Sequence, residues 1–183
     1  MAMILPVYGK DNKEVVNAYA RSLAEELVGG TTEVPVQGEY FRAIIGPKGK
    51  VLLDLRDARL GEKINDFELS GYPVRIECGE RDLQSGKCVV ASRISGEKVV
   101  IERSELTTTV DHMHTQGQEM LFEASSKRLR ENTVACETLE DVGRAIEDGK
   151  FALYEWDGDP QMEIDIKERF KATTRCIPFA GQF

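Results

Sequence analysis

Three charged residues in the middle of the sequence have side chains suited to binding a purine base. Glu68 lies at the end of a segment with helical spacing, Arg75 lies on the strand-like segment that follows, and Lys98 lies on a later one. Arginine or lysine can contact the two acceptors on one edge of guanine, and a carboxylate can accept from amino groups of the base. Unpaired RNA leaves these edges accessible. Base recognition is one hypothesis for these residues, and a solvated or cross-strand ion pair is the other.

Two further groups of charged residues lie at the ends of predicted strands. One stands where α/β sheets bind ligands, and it consists of Asp54, Arg56, Asp57 and Arg59. The other is the glycine-led segment 79–82, in which Arg81 could contact a phosphate. An ordinary charged loop explains the first group equally well. A turn with an internal Arg81–Asp82 ion pair is the alternative for the second.

Metal and catalytic motifs do not emerge from the sequence. His112 and His114, next to Asp111, are two residues apart on a predicted helix and therefore point to different sides. Metal ligands on one helix face are usually four residues apart, so we expect no metal site here. We find no phosphate-binding loop, no GxSxG or HExxH motif, and no nucleophile paired with a base. The chain by itself is typical of a binding module.

The composition is that of a globular protein with an acidic balance. The chain has 183 residues, 41% of them apolar, and a formal net charge of -8. This charge argues against a protein that coats nucleic acid, but a local RNA site needs only a local field. No apolar stretch is long enough for a membrane span, and we expect no signal peptide. The four cysteines form no CxxC pair, which favours free thiols in a reducing cytoplasm.

Hydrophobic periodicity predicts an α/β fold. A first strand at 4–8 is followed by a helix that ends at Gly29-Gly30, and residues 31–50 suggest a hairpin. Further strands are predicted at 51–55, 72–78, 87–94 and 97–103, and further helices at 60–69 and 104–130. The inner face of the last helix is predicted to contain Leu106, Val110, Met113, Leu121 and Ala124.

The remaining sequence repeats a smaller α/β pattern. It comprises strands at 133–136, 151–156 and 176–179, helices at 138–148 and 162–172, and a turn at 157–160. We therefore divide the chain near Thr115, into domains at 1–115 and 116–183, with the long helix between them.

Residues 52–103 resemble the anticodon-binding domain of class II aminoacyl-tRNA synthetases. The detailed match is to prolyl-tRNA synthetases of the archaeal and eukaryotic type. It rests on Asp54-Leu55-Arg56, the lysine-containing helix 63–71, Tyr72-Pro73-Val74-Arg75-Ile76-Glu77 and Gly79-Glu80-Arg81-Asp82. The tail also resembles that family's C-terminal domain, through Phe151-Ala152-Leu153-Tyr154-Glu155-Trp156, Glu163-Ile164-Asp165-Ile166 and Cys176-Ile177-Pro178-Phe179. This tail argues against the related domain of another class II synthetase.

The resemblance implies a fold and a set of binding residues. The fold is a mixed sheet of five strands flanked by helices, followed by a small α/β domain. The family reads the two guanines of the proline anticodon with a glutamate and an arginine seven residues apart, the spacing of Glu68 and Arg75. A lysine past the hairpin assists, and Lys98 is its nearest match. Backbone contacts with RNA are expected from Arg56, Lys63 and Arg81.

The resemblance also implies a larger enzyme. That enzyme charges tRNA(Pro) with proline by using ATP and Mg²⁺, works in the cytoplasm as a homodimer, and carries its catalytic core ahead of residue 1. This chain is expected to bind neither cofactor and to be inactive alone. A protein-interaction domain that does not bind RNA is the competing hypothesis, supported by the acidic balance.

The sequence departs from the family pattern in two places. Residues 31–50 are longer than the usual link, which predicts an inserted hairpin. Trp156-Asp157-Gly158 stands where the family has tryptophan, cysteine and glycine, and that cysteine is a zinc ligand in zinc-binding members. Cys176 alone cannot supply the usual four ligands, so we expect no zinc.

Overall fold

The computed structural model describes residues 1–156 and 158–179. It contains two compact units, Met1–Leu121 and Phe122–Phe183. The predicted α/β class is confirmed in both of them.

The first unit is built on a mixed sheet, which has seven strands among the described residues. They are β1 (Ala2–Val7), β2 (Thr32–Gln37), β3 (Phe41–Gly46), β4 (Gly49–Asp54), β5 (Val74–Gly79), β6 (Lys87–Ser92) and β7 (Lys98–Glu102). Their order is β2-β3-β4-β1-β5-β6-β7. β1 runs parallel to β4 and β5, and the outer pairs are antiparallel.

The inserted segment explains why the sheet has two strands more than the five expected. Residues 31–50 form β2, β3 and the start of β4, and β3 pairs with β4 along its whole length. The hairpin therefore extends one side of the sheet. At the opposite edge of the sheet, β5, β6 and β7 form an antiparallel meander.

Four helices cover the two faces of this sheet unequally. They are α1 (Lys13–Val28), α2 (Leu60–Ser70), α3 (Glu80–Ser85) and α4 (Leu106–Glu131). α1, α3 and α4 pack on one side, here called the α1 face. Its core includes Leu23, Leu106, Ile4, Val74 and Ile76, and Leu83 of α3 packs against it. α2 packs on the other side, the α2 face.

Strand alternation sends the side chains of β5 to different faces. Val74, Ile76 and Cys78 are fully buried in the core of the α1 face. Arg75 and Glu77 therefore point to the α2 face, as the sequence pattern predicts. On β6, Ala91 pairs with Arg75 and Val89 pairs with Glu77. On β7, the next residues in these two rows are Lys98, beside Ala91, and Val100, beside Val89.

α2 is too short to cover the whole of the α2 face. It places Phe67 on Met3, Leu5 and Leu52, above β1 and β4. It then ends at Gly71, whose φ of 77° lies in the left-handed region that glycine adopts readily. β6 and β7 remain accessible beside it, and Val100 on that face is 66% exposed.

The long helix contacts the sheet only through its first turns. Leu106, Val110 and Met113 are buried as predicted, and Gly117 packs against Ile94. The prediction was wrong for Leu121, which is 52% exposed, and for Ala124, which is also exposed. Neither residue therefore belongs to the core of the α1 face.

The second unit has a two-stranded parallel sheet of β8 (Thr133–Cys136) and β9 (Phe151–Tyr154). It also contains α5 (Leu139–Glu147) and α6 (Pro160–Phe170). Thr138 caps α5 in a reciprocal arrangement with Asp141.

Two predictions for the tail need comment. The predicted turn at 157–160 includes Asp157, which lies outside the described residues, as does the family comparison at that position. The predicted strand at 176–179 was wrong, because these residues have no regular secondary structure. No partner strand is present beside it among the described residues.

We expect Phe67→Ala to destabilise the chain more than any change on the outer side of α2. Phe67 is fully buried, and truncating a buried phenylalanine costs about 3–5 kcal/mol. Leu69→Ala on the same helix is the control, because Leu69 is 86% exposed and its loss should cost under about 0.5 kcal/mol. Urea unfolding measures both. Similar losses for the two variants would contradict the packing of α2.

Candidate nucleic-acid interface

The structure brings Glu68, Arg75 and Lys98 together around a fourth residue, Glu77. Arg75 Nη1 lies 3.4 Å from Glu68 Oε1, and Arg75 Nε donates to Glu77 Oε1 at 3.0 Å. Lys98 Nζ donates to both oxygens of Glu77, at 3.1 and 2.9 Å. These four residues, the Glu77 network, lie on the α2 face beside the end of α2.

Exposure rises from the inside of this network to its outside. The side chain of Glu77 is 7% exposed and that of Arg75 is 13% exposed. The side chains of Glu68 and Lys98 are 46% and 49% exposed. Glu77 is therefore the buried base of the network, and Glu68 and Lys98 are its accessible rim.

One outer contact of the network, between Arg75 and Glu68, is weak enough to be exchanged for a ligand. Hydrogen bonds between charged groups are usually 2.7–2.9 Å long. The Arg75–Glu68 contact, at 3.4 Å, is longer, and it is partly exposed to solvent. The arrangement thus offers a carboxylate acceptor, a guanidinium and an ammonium on one open surface. These are the groups that the two edges of guanine require.

Arg56 lies on the other flank of α2, and carboxylates occupy its guanidinium. Its Nε and Nη2 donate to the two oxygens of buried Asp54, at 2.9 and 2.7 Å, and Nη2 also donates to Asp66 at 2.6 Å. The guanidinium lies 4.8 Å from the centre of the Phe41 ring. The hydrogen bond to Asp54 contributes most to raising the pKa of Arg56. Arg56 ties β4 to α2 and keeps 24% of its side chain exposed.

The other members of the strand-end group do not join Arg56. Asp57 lies 3.8 Å from Lys13 and is 77% exposed at its side chain. Arg59 precedes α2 in an extended conformation and is exposed. The structure therefore divides the predicted group of Asp54, Arg56, Asp57 and Arg59 into separate contacts.

The expectation that Lys63 contacts RNA was wrong. It is fully buried, and its Nζ donates to the carbonyl oxygens of Pro6 at 2.8 Å and Asp54 at 3.1 Å. The ammonium also lies 4.5 Å from the centre of the Tyr8 ring. A phosphate cannot reach it in this conformation. Lys63 instead links the ends of β1 and β4 to α2.

Arg81 is accessible, but not in the turn that the sequence suggested. It lies in the first turn of α3 and is exposed. Asp82 Oδ2 instead accepts from the backbone N–H of Gly79 at 2.8 Å. Within the described ranges 1–156 and 158–179, Arg81 and Asp82 form no ion pair. The segment 79–82 is therefore a helix start with its own carboxylate cap.

The histidine pair and the cysteines are separate from the network. His114 Nε2 lies 2.9 Å from the carbonyl oxygen of Met1. Within residues 1–156 and 158–179, no three His, Cys, Asp or Glu side chains are grouped as a metal ion requires. Cys78, Cys88 and Cys136 are buried free thiols, and Cys176 is an exposed one.

Sequence reasoning missed Glu77 as part of the site. The signal was present, because Glu77 is two residues from Arg75 and therefore shares its face of the strand. What the sequence did not show is that Lys98, two strands away, reaches the same carboxylate.

Comparison with known proteins matches both units of the chain. The family described as anticodon binding domain matches residues 1–113. The chain belongs to this family. The family described as prolyl-tRNA synthetase, C-terminal, matches residues 139–182. The resemblance inferred from the sequence motifs is therefore confirmed for this anticodon-binding chain.

Curated relatives of this chain are proline–tRNA ligases. The ligase of Pyrococcus abyssi is 32% identical over 178 residues, which are 97% of this chain and 34% of the relative. That of Chlorobaculum tepidum is 34% identical over 177 residues, 96% of this chain and 33% of the relative. That of Chloroherpeton thalassium is 40% identical over 124 residues, 67% of this chain and 26% of the relative. The chain spans about a third or less of these relatives.

No helix in the described parts of the chain combines the length and apolar character needed to cross a membrane.

We expect Lys63 to make stability rise with pH above neutrality. Burial lowers the pKa of Lys63 from 10.5 to about 8. Between these values the unfolded chain binds more protons than the folded chain, so the free energy of unfolding increases with pH. Lys63→Met removes this group but keeps a side chain of similar length. Urea unfolding at several pH values from 7.5 to 9.5 measures the difference in the free energy of unfolding between the wild-type chain and Lys63→Met.

The wild-type chain should gain stability relative to Lys63→Met across that range. Burial also raises the pKa of Tyr8 well above 10, so Tyr8 stays neutral throughout. A difference that is constant or shrinks with pH would contradict the buried ammonium.

Proposed function

We propose that this chain recognises the anticodon of tRNA(Pro) and serves as the C-terminal part of a proline–tRNA ligase. The observation that carries the proposal is the Glu77 network on an open sheet face of an anticodon-binding domain. It supplies a carboxylate and two cations side by side, which suits the donor and acceptor pattern of guanine. The names of the relatives supply the amino acid, proline.

Each side chain of the network has a role in this proposal. Glu68 accepts from the ring N–H and amino group of a guanine, and Arg75 donates to guanine O6 or N7. Lys98 donates to an acceptor of the same or the neighbouring base. The surrounding Val89 and Val100 provide an apolar floor on which an unstacked base can lie.

Backbone contacts would come from cations at the border of this surface. Arg81 is exposed and is the better of the two remaining candidates. Arg56 keeps part of its side chain exposed while bound to Asp54 and Asp66. Such contacts position an RNA without reading its sequence.

The wider assembly is also part of the proposal. We assign the anticodon-binding domain to residues 1–115 and the C-terminal extension of the ligase to 116–183. The compact units, which divide between Leu121 and Phe122 within α4, support a boundary in this helix. A catalytic domain of the same polypeptide would join proline to tRNA(Pro) with ATP and Mg²⁺, in a cytoplasmic homodimer.

The test is binding of the tRNA(Pro) anticodon stem-loop to this chain. Wild-type protein should prefer the natural loop to loops in which either anticodon guanine is replaced. Arg75→Ala should lose about 1–3 kcal/mol of this discrimination because it removes the donors to guanine. Fluorescence anisotropy at one fixed salt concentration measures each dissociation constant.

Arg103→Ala is the matched control for this experiment. Arg103 is also paired with a glutamate, Glu26, but it contacts α1 on the other side of the sheet. The Arg103→Ala substitution removes one positive charge, as Arg75→Ala does, and should leave the discrimination between loops unaltered. Equal binding of all loops by the wild-type chain would contradict the proposal and favour an interaction domain that does not bind RNA.

A further inference from the structure

We propose that Glu77 is a positioning residue that sets the orientation of Arg75 and Lys98 for base recognition. This inference rests on the proposed function, because it states how the same surface achieves its specificity. In this proposal Glu77 itself touches no base.

The position of Glu77 makes its carboxylate an interior group of the sheet. It lies in the middle of β5, between Leu5 of β1 and Val89 of β6. Its side chain is 7% exposed, although it is on the face that stays partly open. A buried carboxylate must be paired with cations or hydrogen-bond donors to be stable. Arg75 and Lys98 supply those donors.

The two cations share this carboxylate in an ordered way. Oε1 accepts from Arg75 Nε at 3.0 Å and from Lys98 Nζ at 3.1 Å, and Oε2 accepts from Lys98 Nζ at 2.9 Å. One acidic side chain thereby holds a guanidinium from its own strand and an ammonium from two strands away. Without it, the two cations would repel each other and turn towards solvent.

The choice of nitrogen on Arg75 matters for its function. Glu77 engages Nε, the nitrogen nearest the chain, and makes no hydrogen bond with the terminal nitrogens within residues 1–156 and 158–179. Among the same residues, Nη1 has only the long 3.4 Å contact with Glu68. The guanidinium also lies 5.5 Å from the centre of the Phe67 ring, which limits its movement. Arg75 is therefore held at Nε by Glu77, which leaves the N–H groups of its terminal nitrogens to donate to a base.

This arrangement predicts that Glu77 affects discrimination more than general affinity. A guanidinium fixed at Nε loses less conformational entropy when its outer donors bind a base. A loop without the guanine gains little from that fixed geometry. Loss of Glu77 should therefore weaken binding to the natural loop selectively.

The first measurement needs no RNA. In ¹⁵N-labelled chain, the Arg75 Nε–H should exchange with solvent more slowly than that of Arg81, whose side chain makes no hydrogen bond within residues 1–156 and 158–179. Glu77→Gln should speed the exchange at Arg75 and leave Arg81 unchanged. Equal exchange for the two arginines in the wild-type chain would overturn the inference, even if no Glu77 variant folds.

The second measurement compares stem-loops with and without the anticodon guanines. Glu77→Gln should reduce the preference for the natural loop about tenfold, with a smaller effect on the substituted loops. In an Arg75→Ala background, adding Glu77→Gln should reduce the preference less than it does in the wild-type chain, because only Lys98 then remains for Glu77 to position. Amide spectra check that each variant is folded, and Glu77→Asp replaces Glu77→Gln if the latter is not.

Glu102→Gln is the matched control, since Glu102 is on the same sheet face and pairs with Lys87 at 3.1 Å, but its side chain is 55% exposed. It should leave the preference unchanged. Unaltered discrimination in Glu77→Gln, an equal loss on all loops, or full additivity with Arg75→Ala would overturn the inference. A wild-type chain that does not prefer the guanine loop would instead refute the proposed function, while the exchange experiment would still test how Glu77 holds Arg75.

Discussion

The unequal cover of the central sheet determines where this protein can bind a ligand. Helices α1, α3 and α4 close the α1 face over a continuous apolar core, and the short helix α2 closes only part of the α2 face. Because α2 ends at Gly71, the strands β5, β6 and β7 keep an accessible surface next to a buried one. A polar side chain on β5 can therefore be held by buried groups and still reach the accessible surface. The network of Glu68, Arg75, Glu77 and Lys98 occupies this border.

Local electrostatics reconcile an acidic chain with the proposed recognition of RNA. The net charge of -8 describes the whole sequence, but a ligand at the border meets two carboxylates and two cations that balance each other. Such a surface offers hydrogen-bond donors and acceptors to a base, but little net electrostatic attraction for RNA phosphates. Its physical character suits discrimination between bases better than strong attraction to phosphates, which needs an excess of cations.

The strand pattern of β5 could be predicted from the sequence, because apolar and charged residues alternate from Val74 to Cys78. The family motifs likewise indicated the spacing of Glu68 and Arg75. Two features could not be foreseen. The burial of Lys63 depends on the carbonyl groups of Pro6 and Asp54, which converge only in the folded chain. The pairing of Lys98 with Glu77 depends on the register of β6 and β7, which local sequence does not determine.

Binding of the anticodon to the α2 face of β5, β6 and β7 is the central claim, and methyl NMR tests it most directly. Val89 and Val100 lie on that face, whereas their neighbours Val90 and Val99 lie on the α1 face. On titration with the tRNA(Pro) anticodon stem-loop, the methyl signals of Val89 and Val100 should shift, and those of Val90 and Val99 should not. Shifts confined to Val90, Val99 or the α1 helix, with Val89 and Val100 unaffected, would contradict the account.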